Sequence, residues 1–322
     1  MPSIDMPLEQ LRAYKPPLTK AADFDAFWEA TLQELRATPL DPEMVPLDLP
    51  RGHTDFYHVR YTSLGGARIA GYLARPRHLD EKAPCVLVFH GYGGSKPQPW
   101  ELLKYTDLGW CALAIDTRGQ AGESSNPSEG PSGHVHGWMT IGVEEKQTYY
   151  YRGAYADCVR AFDLVTSLDF VDPARVAATG ASQGGGLSIA TAALEPRLCA
   201  YAPDIAFLCH FERAVRIATE GPYLEIEKYL RRWPEKQEQV WATLSYFDGV
   251  NLASRIRQPG LWSIGGNDNV CPPSTTMAAF HHAGGEKELR FYPFAYHEVP
   301  AAHETAKIRW LARKLGHRPL GA

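Results

Sequence analysis

No stretch of this chain limits its fold as tightly as residues 176–186, which run Val-Ala-Ala-Thr-Gly-Ala-Ser-Gln-Gly-Gly-Gly. A short apolar run enters Gly180-Ala181-Ser182-Gln183-Gly184, and a helix-forming run from Leu187 to Leu194 leaves it. A strand, a tight turn and a helix in immediate succession need small residues beside the turn, because strand and helix approach closely there. Glycines 180 and 184 meet that need. Ser182 would then stand on a strained elbow at the carboxyl edge of a sheet, presented as a nucleophile. Two other readings fit the same letters. One is a plain glycine-rich strand-to-helix turn. The other takes Thr179 to Gly186 as a T-G-x-x-x-G-x-G dinucleotide loop with Asp204 as the ribose acid, which would make the chain an NAD(P)-dependent short-chain dehydrogenase. Against the last, such a loop normally opens its domain, several strand-like runs come first here, and no Tyr-x-x-x-Lys pair follows.

The residues downstream favour the nucleophile. A serine hydroxyl is too weak an acid to attack unaided, so a histidine must take its proton and a carboxylate must hold that histidine. In α/β hydrolases these follow in the order serine, acid, histidine, on loops after later strands. Gly260-Leu261-Trp262-Ser263-Ile264-Gly265-Gly266-Asn267-Asp268 is a buried-strand pattern that ends in an acid, and Lys287 to His297 alternates like a strand before ending in a histidine. Ser182, Asp268 and His297 are therefore the candidate catalytic set. Asp204, after the strand that follows the elbow, is the competing acid. Asp268 is preferred because its strand is better formed and Val270-Cys271-Pro272-Pro273 would stiffen its loop. His210, His281 and His282 are read as structural histidines.

The charge that develops on a carbonyl oxygen needs backbone donors. Ala83 to Phe89 is an apolar run that breaks into His90-Gly91-Tyr92-Gly93-Gly94, a counterpart of the His-Gly-Gly-Gly loop that supplies one donor. The backbone N–H groups of Tyr92 and Gln183 are the candidate oxyanion hole. None of these parts calls for a metal or a cofactor, and none is expected.

Arg118-Gly119-Gln120, Gly180-Ala181-Ser182-Gln183-Gly184 and His297-Glu298 together resemble the three signatures of the acetyl xylan esterase / cephalosporin C deacetylase family, carbohydrate esterase family seven. The likeness extends over nearly the whole chain. It includes Phe24-Asp25-Ala26-Phe27-Trp28, Gly137-Trp138-Met139-Thr140, Tyr149-Tyr150-Tyr151-Arg152 and Cys271-Pro272-Pro273-Ser274-Thr275. The resemblance implies a serine esterase that removes O-acetyl groups from xylo-oligosaccharides and cephalosporin C. It also implies an acyl pocket lined by Tyr92, Phe207, Pro222 and Val270, and a homo-oligomer, a hexamer in the family. The acid loop departs from the family pattern in reading Gly-Gly-Asn-Asp, where an apolar residue is expected before the acid. A general short-chain carboxylesterase or a peptidase of the same fold remains the alternative. Arg118 is read as a turn residue paired with a nearby acid, and Tyr149–Tyr151 as core or interface packing rather than a sugar platform.

A length of 322 residues with 44% hydrophobic content suits one large α/β-hydrolase domain over 1–322, a mostly parallel sheet flanked by helices. Residues 1–45 read as an amino-terminal arm, with a helix from about Asp23 to Ala37 whose stripe is Phe24, Phe27, Trp28, Leu32 and Leu35. Residues 210–252 read as a helical insertion near the site, and 121–136 as a rim. The net charge of −4 argues against nucleic acid and anionic membrane as partners. No apolar run approaches the ~18 residues of a membrane span. The first residues lack a basic segment and an apolar stretch of the secretory kind, and the six cysteines form no C-x-x-C motif. A cytoplasmic location with reduced core cysteines is the expectation.

Overall fold

The structure, a computed structural model, describes residues 4–50, 52–127 and 135–316, so part of the rim (128–134) lies outside the described residues. The amino-terminal part comprises α1 (Leu8–Ala13), α2 (Phe24–Ala37), β1 (Glu43–Pro46), β2 (Thr54–Thr62), β3 (Arg68–Pro76) and β4 (Ala83–Phe89). There follow α3 (Leu103–Thr106), β5 (Cys111–Ile115), α4 (Tyr150–Ser167), β6 (Val171–Ala181), α5 (Gln183–Leu194) and β7 (Ala200–Asp204). Then come α6 (Phe211–Ile217), α7 (Tyr223–Arg232), α8 (Gln237–Ser245), α9 (Gly249–Ala253), β8 (Gly260–Gly265), α10 (Pro273–His282), β9 (Lys287–Tyr292) and α11 (Ala301–Leu315). The strands form one sheet in the order β1-β2-β3-β5-β4-β6-β7-β8-β9. The first three are antiparallel, β3 is antiparallel to β5, and all pairs from β5 to β9 are parallel.

Alternation along the parallel strands divides the core between two faces. Cys85, Leu87 and Phe89 of β4 join one apolar cluster with α2, α4 and α5, whereas Val86 joins a second with Trp310, Leu311 and Leu315 of α11. Strands buried on both faces read as continuous apolar runs, which is why the sequence located them. The stripe expected on α2 is buried, and Trp28 donates its indole N–H to the Tyr246 carbonyl at 2.9 Å. Its rings meet Tyr246 and Phe247 of the segment between α8 and α9, so the arm docks on the inserted helices. The arm is shorter than expected, because Glu43–Pro46 pair antiparallel with β2. All four residues are exposed, so no alternation of hydrophobicity marks this edge strand. The three histidines read as structural serve the arm: His210 bonds Tyr14, His281 the Leu11 carbonyl and His282 the Pro16 carbonyl. Among the described residues, no helix is long and apolar enough to cross a membrane.

Beneath the carboxyl edge of the sheet lies a buried charge network. Asp204 at the end of β7 meets Lys307 at 2.5 Å and His303 at 2.6 Å, both from α11, and accepts from the Ser263 hydroxyl of β8 at 2.8 Å. Burial alone would raise its carboxyl, but Lys307 and His303 hold it below the ordinary aspartate value. Asp204 is thus occupied in tying α11 to two strands. Both its oxygens are engaged there, which leaves Asp204 available neither as the partner of His297 nor as the ribose acid of a dinucleotide loop. A depressed folded-state pKa means that this stabilisation is present above the unfolded aspartate value and is lost as pH falls through the folded one. Asp204→Asn should leave Lys307 without its buried partner and cost about 3–5 kcal/mol at neutral pH. In denaturant titrations the gap between wild type and variant should narrow as pH drops below about 4. A gap that stays constant down to pH 2–3 would show that the carboxylate charge is not what stabilises this junction.

Candidate active site

The parallel register of β4 with β6 pairs Phe89 with Gly180. The loop after β4 and the turn after β6 therefore leave the sheet side by side. Ser182 sits at that turn with φ 57° and ψ −119°, a region that non-glycine residues rarely occupy and that costs on the order of 1–3 kcal/mol. Three backbone bonds anchor it: its N–H donates to the Asp204 carbonyl, and its carbonyl accepts from the N–H groups of Gly186 and Phe207. Glycine is required beside it for a measurable reason. A β-carbon on Gly184 would lie 2.0 Å from the Phe89 carbonyl oxygen, and one on Gly180 would lie 2.4 Å from the same atom.

Three side chains that are far apart in sequence meet above this elbow. Ser182 Oγ is 2.9 Å from His297 Nε2, and His297 Nδ1 is 2.8 Å from Asp268 Oδ2. The other carboxylate oxygen of Asp268 accepts the backbone N–H groups of Val270 and Cys271 at 2.9 and 2.7 Å, so the turn that follows the acid orients it. Asp268 is 1% exposed, whereas the His297 side chain keeps 24% of its surface open, so solvent reaches the set from the histidine side. The Gly-Gly-Asn-Asp departure has a structural counterpart. The N–H groups of Gly266 and Asn267 donate to the carbonyls of Tyr292 and Ala295, joining the acid loop to the histidine loop through backbone alone. Cys271 lies beside the serine, and burial pushes its thiol well up, which keeps it protonated. Among the described residues, Asp268, Cys271 and His297 form one group whose donor atoms lie within 4.8 Å of one another. Two of its three members are already bonded to each other.

The loop after β4 crosses the elbow from the other side. Gln183 opens α5, where the first N–H groups have no partner within the helix, and Tyr92 lies in the adjoining loop. A buried amide relay that the sequence did not signal joins the two. Gly93 N–H donates to Gln120 Oε1 at 2.9 Å, and Gln120 Nε2 donates to Gln183 Oε1 at 2.8 Å. Tyr151 donates to that same Gln183 oxygen at 3.0 Å, and Tyr150 donates to the Arg118 carbonyl at 2.5 Å. Tyr149, Tyr150 and Tyr151 are at most 1% exposed, so they are core residues and offer no platform to a sugar. Arg118 makes the ion pair expected of it: Nε and Nη2 donate to the two oxygens of Asp157 at 2.7 and 2.6 Å. Arg118-Gly119-Gln120 could have been read as this relay only by knowing that its turn ends beside Gln183.

The four residues proposed to line an acyl pocket are brought into one neighbourhood. The Tyr92 ring is 6.0 Å from that of Phe207, and Phe207 is 4.3 Å from Tyr223, the residue after Pro222. Gly221 approaches Val270 so closely that an added β-carbon would lie 2.6 Å from its Cγ1. Pro222 enters through the inserted helices and Val270 through the acid loop.

A serine, histidine and carboxylate so arranged on a strand–turn–helix elbow define an α/β-hydrolase fold. A family model described as Acetyl xylan esterase (AXE1) matches residues 1–314, and the chain belongs to that family of carboxylic ester hydrolases. The acetyl esterase Axe7A of Xylanibacter ruminicola is 30% identical over 94% of this chain and 69% of its own length. The acetyl xylan esterase from Paenibacillus sp. R4 superposes with a TM-score of 0.94 at 43% identity, covering 96% of this chain and all of that one. Acetyl xylan esterase 1 from a Thermoanaerobacterium species gives 0.92 at 30% identity, covering 96% and 99%. An acylaminoacyl peptidase of Pyrococcus horikoshii, 15% identical with a TM-score of 0.60 over 88% of this chain and 43% of that one, shares the fold alone.

The contact between Gly184 and Phe89 yields a direct test. Gly184→Ala must push β4 away from α5, which displaces the loop that carries Tyr92. Hydrolysis of an acetate ester should fall roughly 100-fold, the scale expected for an ångström of misplacement at a reacting centre. Activity within a factor of two of wild type would show that the close approach is not needed.

Proposed function

We propose that this protein is a serine esterase that removes acetyl groups from acetylated xylo-oligosaccharides and from the acetoxymethyl arm of cephalosporin C, through an acyl-enzyme. The observation that carries the reading is the unbroken hydrogen-bond chain from Ser182 through His297 to Asp268 on a strained elbow. His297 takes the Ser182 proton as Oγ attacks the acyl carbon, and Asp268 stabilises the imidazolium that forms. The N–H groups of Gln183 and Tyr92 receive the developing oxyanion, each donor worth about 3–4 kcal/mol of barrier in sites of this kind. The tetrahedral adduct collapses as the imidazolium protonates the leaving alcohol. Water, deprotonated by the same histidine, then releases acetate. The family likeness further supports a homo-oligomer, a hexamer, acting on small carbohydrates.

Ser182→Ala should abolish ester hydrolysis in a protein that still folds, and a sulfonyl fluoride should label Ser182 alone. Asp268→Asn should lower turnover on the order of 10⁴-fold, because an asparagine favours the wrong histidine tautomer. Activity of the Ser182→Ala protein above a few per cent of wild type would exclude the serine mechanism.

Acyl-chain selectivity separates this reading from a general carboxylesterase. On this reading Tyr92, Phe207, Pro222 and Val270 close around a methyl-sized pocket, so each added methylene would have to displace packed side chains at about 1–3 kcal/mol. Butyrate esters should therefore react roughly 10- to 100-fold more slowly than acetate, with octanoate nearly inert. Equal kcat/KM for acetate and octanoate would refute the small pocket. Turnover of acetylated xylobiose and cephalosporin C identifies the alcohol half.

A further inference from the structure

Tyr92 is held at both ends, and only one end belongs to the machinery described above. Its backbone sits in the loop beside the elbow. Its hydroxyl donates to the Glu225 carboxylate, with Oε1 at 2.8 Å and Oε2 at 2.9 Å, and accepts the Trp138 backbone N–H at 2.6 Å. Glu225 Oε2 also accepts the Met139 N–H at 3.1 Å. One carboxylate from the first turn of α7 thereby joins three separate segments: the loop after β4, the segment from 137 to 139, and the inserted helices.

A second observation shows that the structure is built around this group. Gly137 has φ +117°, and a β-carbon there would lie 2.1 Å from Glu225 Oε2 and 2.2 Å from its Cδ. The backbone makes room for the carboxylate at a position only glycine tolerates. Glu225 is half-buried, and its burial raises the carboxyl against the opposing pull of Tyr92 and the Met139 N–H. A charged group is tolerated there because the Tyr92 hydroxyl and the Met139 N–H donate to it.

We propose that Glu225 is the positioning residue that fixes Tyr92, and with it the width of the acyl pocket and the placing of the second oxyanion donor. The proposal rests on the small-acyl reading given above. Tyr92 stands between Glu225 and Phe207, and Phe207 is bonded to the Ser182 carbonyl. Without its acceptor the phenol loses the contact that keeps its ring pressed toward Phe207, and the pocket widens on the side away from the elbow. The inserted helices would thus decide selectivity from outside the catalytic set, with Pro222 as a wall and Glu225, three residues later, as the tie.

The test uses the full-length protein and p-nitrophenyl acetate and butyrate, with wild type, Glu225→Gln and Glu225→Ala. The wild-type ratio of kcat/KM for the two esters is read first, and by itself it judges the small-acyl reading. The ratio in each variant relative to wild type judges Glu225. In Glu225→Ala, kcat for acetate should fall about 10- to 100-fold with KM within a few-fold of wild type, as for a misplaced reacting group. The acetate-to-butyrate ratio should shrink about tenfold. Glu225→Gln keeps an acceptor and should recover most of both. A folded Glu225→Ala protein whose ester ratio is unchanged would overturn the proposal, as would equal losses in the glutamine and alanine variants. Should the alanine variant not fold, Tyr92→Phe removes the same bond from the other side. It must then lower the ratio about tenfold, and an unchanged ratio there overturns the proposal equally.

Discussion

The backbone of β4 and the first turn of α5 are pressed together until a carbonyl oxygen occupies the place of a side chain, and the rest of the site depends on that contact. With Phe89 O only 2.0 Å from where a β-carbon of residue 184 would stand, the two loops leaving β4 and β6 share one patch of sheet edge. That closeness places the N–H of Gln183 and the loop of Tyr92 on the same side of Ser182. It also forces Ser182 into a backbone conformation that an isolated peptide would seldom visit. The strain persists because the surroundings over-determine it: the Asp204 and Phe207 bonds grip both faces of the peptide. Ile205, Leu208 and His210, in the segment after β7, also have positive φ, so unfavourable backbone is concentrated around the turn that carries Ser182.

Two buried ion pairs away from the site mark junctions of the fold. Arg118 with Asp157 locks the turn after β5 against α4, and the turn then delivers Gln120 to the amide relay. Asp204 with Lys307 and His303 locks α11 under β7 and β8. Removing one partner from such a pair leaves an uncompensated charge, which is costly. These residues therefore bear on activity through the rigidity of what they join. The contrast between two aspartates makes the point. Asp204 is fully engaged by Lys307, His303 and Ser263, whereas Asp268 offers one oxygen to a histidine that is partly open to solvent and the other to backbone amides.

The helices between β7 and β8 reach both the neighbourhood of the site and the amino-terminal arm. They carry Pro222 and Tyr223 to one wall of the site and Glu225 to the hydroxyl of Tyr92, and they also receive the α2 stripe through Tyr246 and Phe247. A hydrolase fold can change its specificity by such additions because the sheet and elbow remain rigid beneath them.

Local pattern determined a good part of this protein. The parallel strands were legible because burial on both faces makes each a continuous apolar run, and the elbow because its turn admits only small residues at 180 and 184. The order serine, acid, histidine and the amphipathic stripe of α2 were legible for equally local reasons. The edge strand Glu43–Pro46 was not, since full exposure imposes no hydrophobic period. Which of two aspartates serves the histidine was an inference from loop quality, and tertiary structure alone decided it, by surrounding Asp204 with Lys307 and His303. Gln120 and Glu225 were invisible for the same reason. Their partners lie 63 and 133 positions away. A glutamine or glutamate on a helix or turn has no periodic signature, and a hydrogen bond between distant side chains exists only once packing has brought them together.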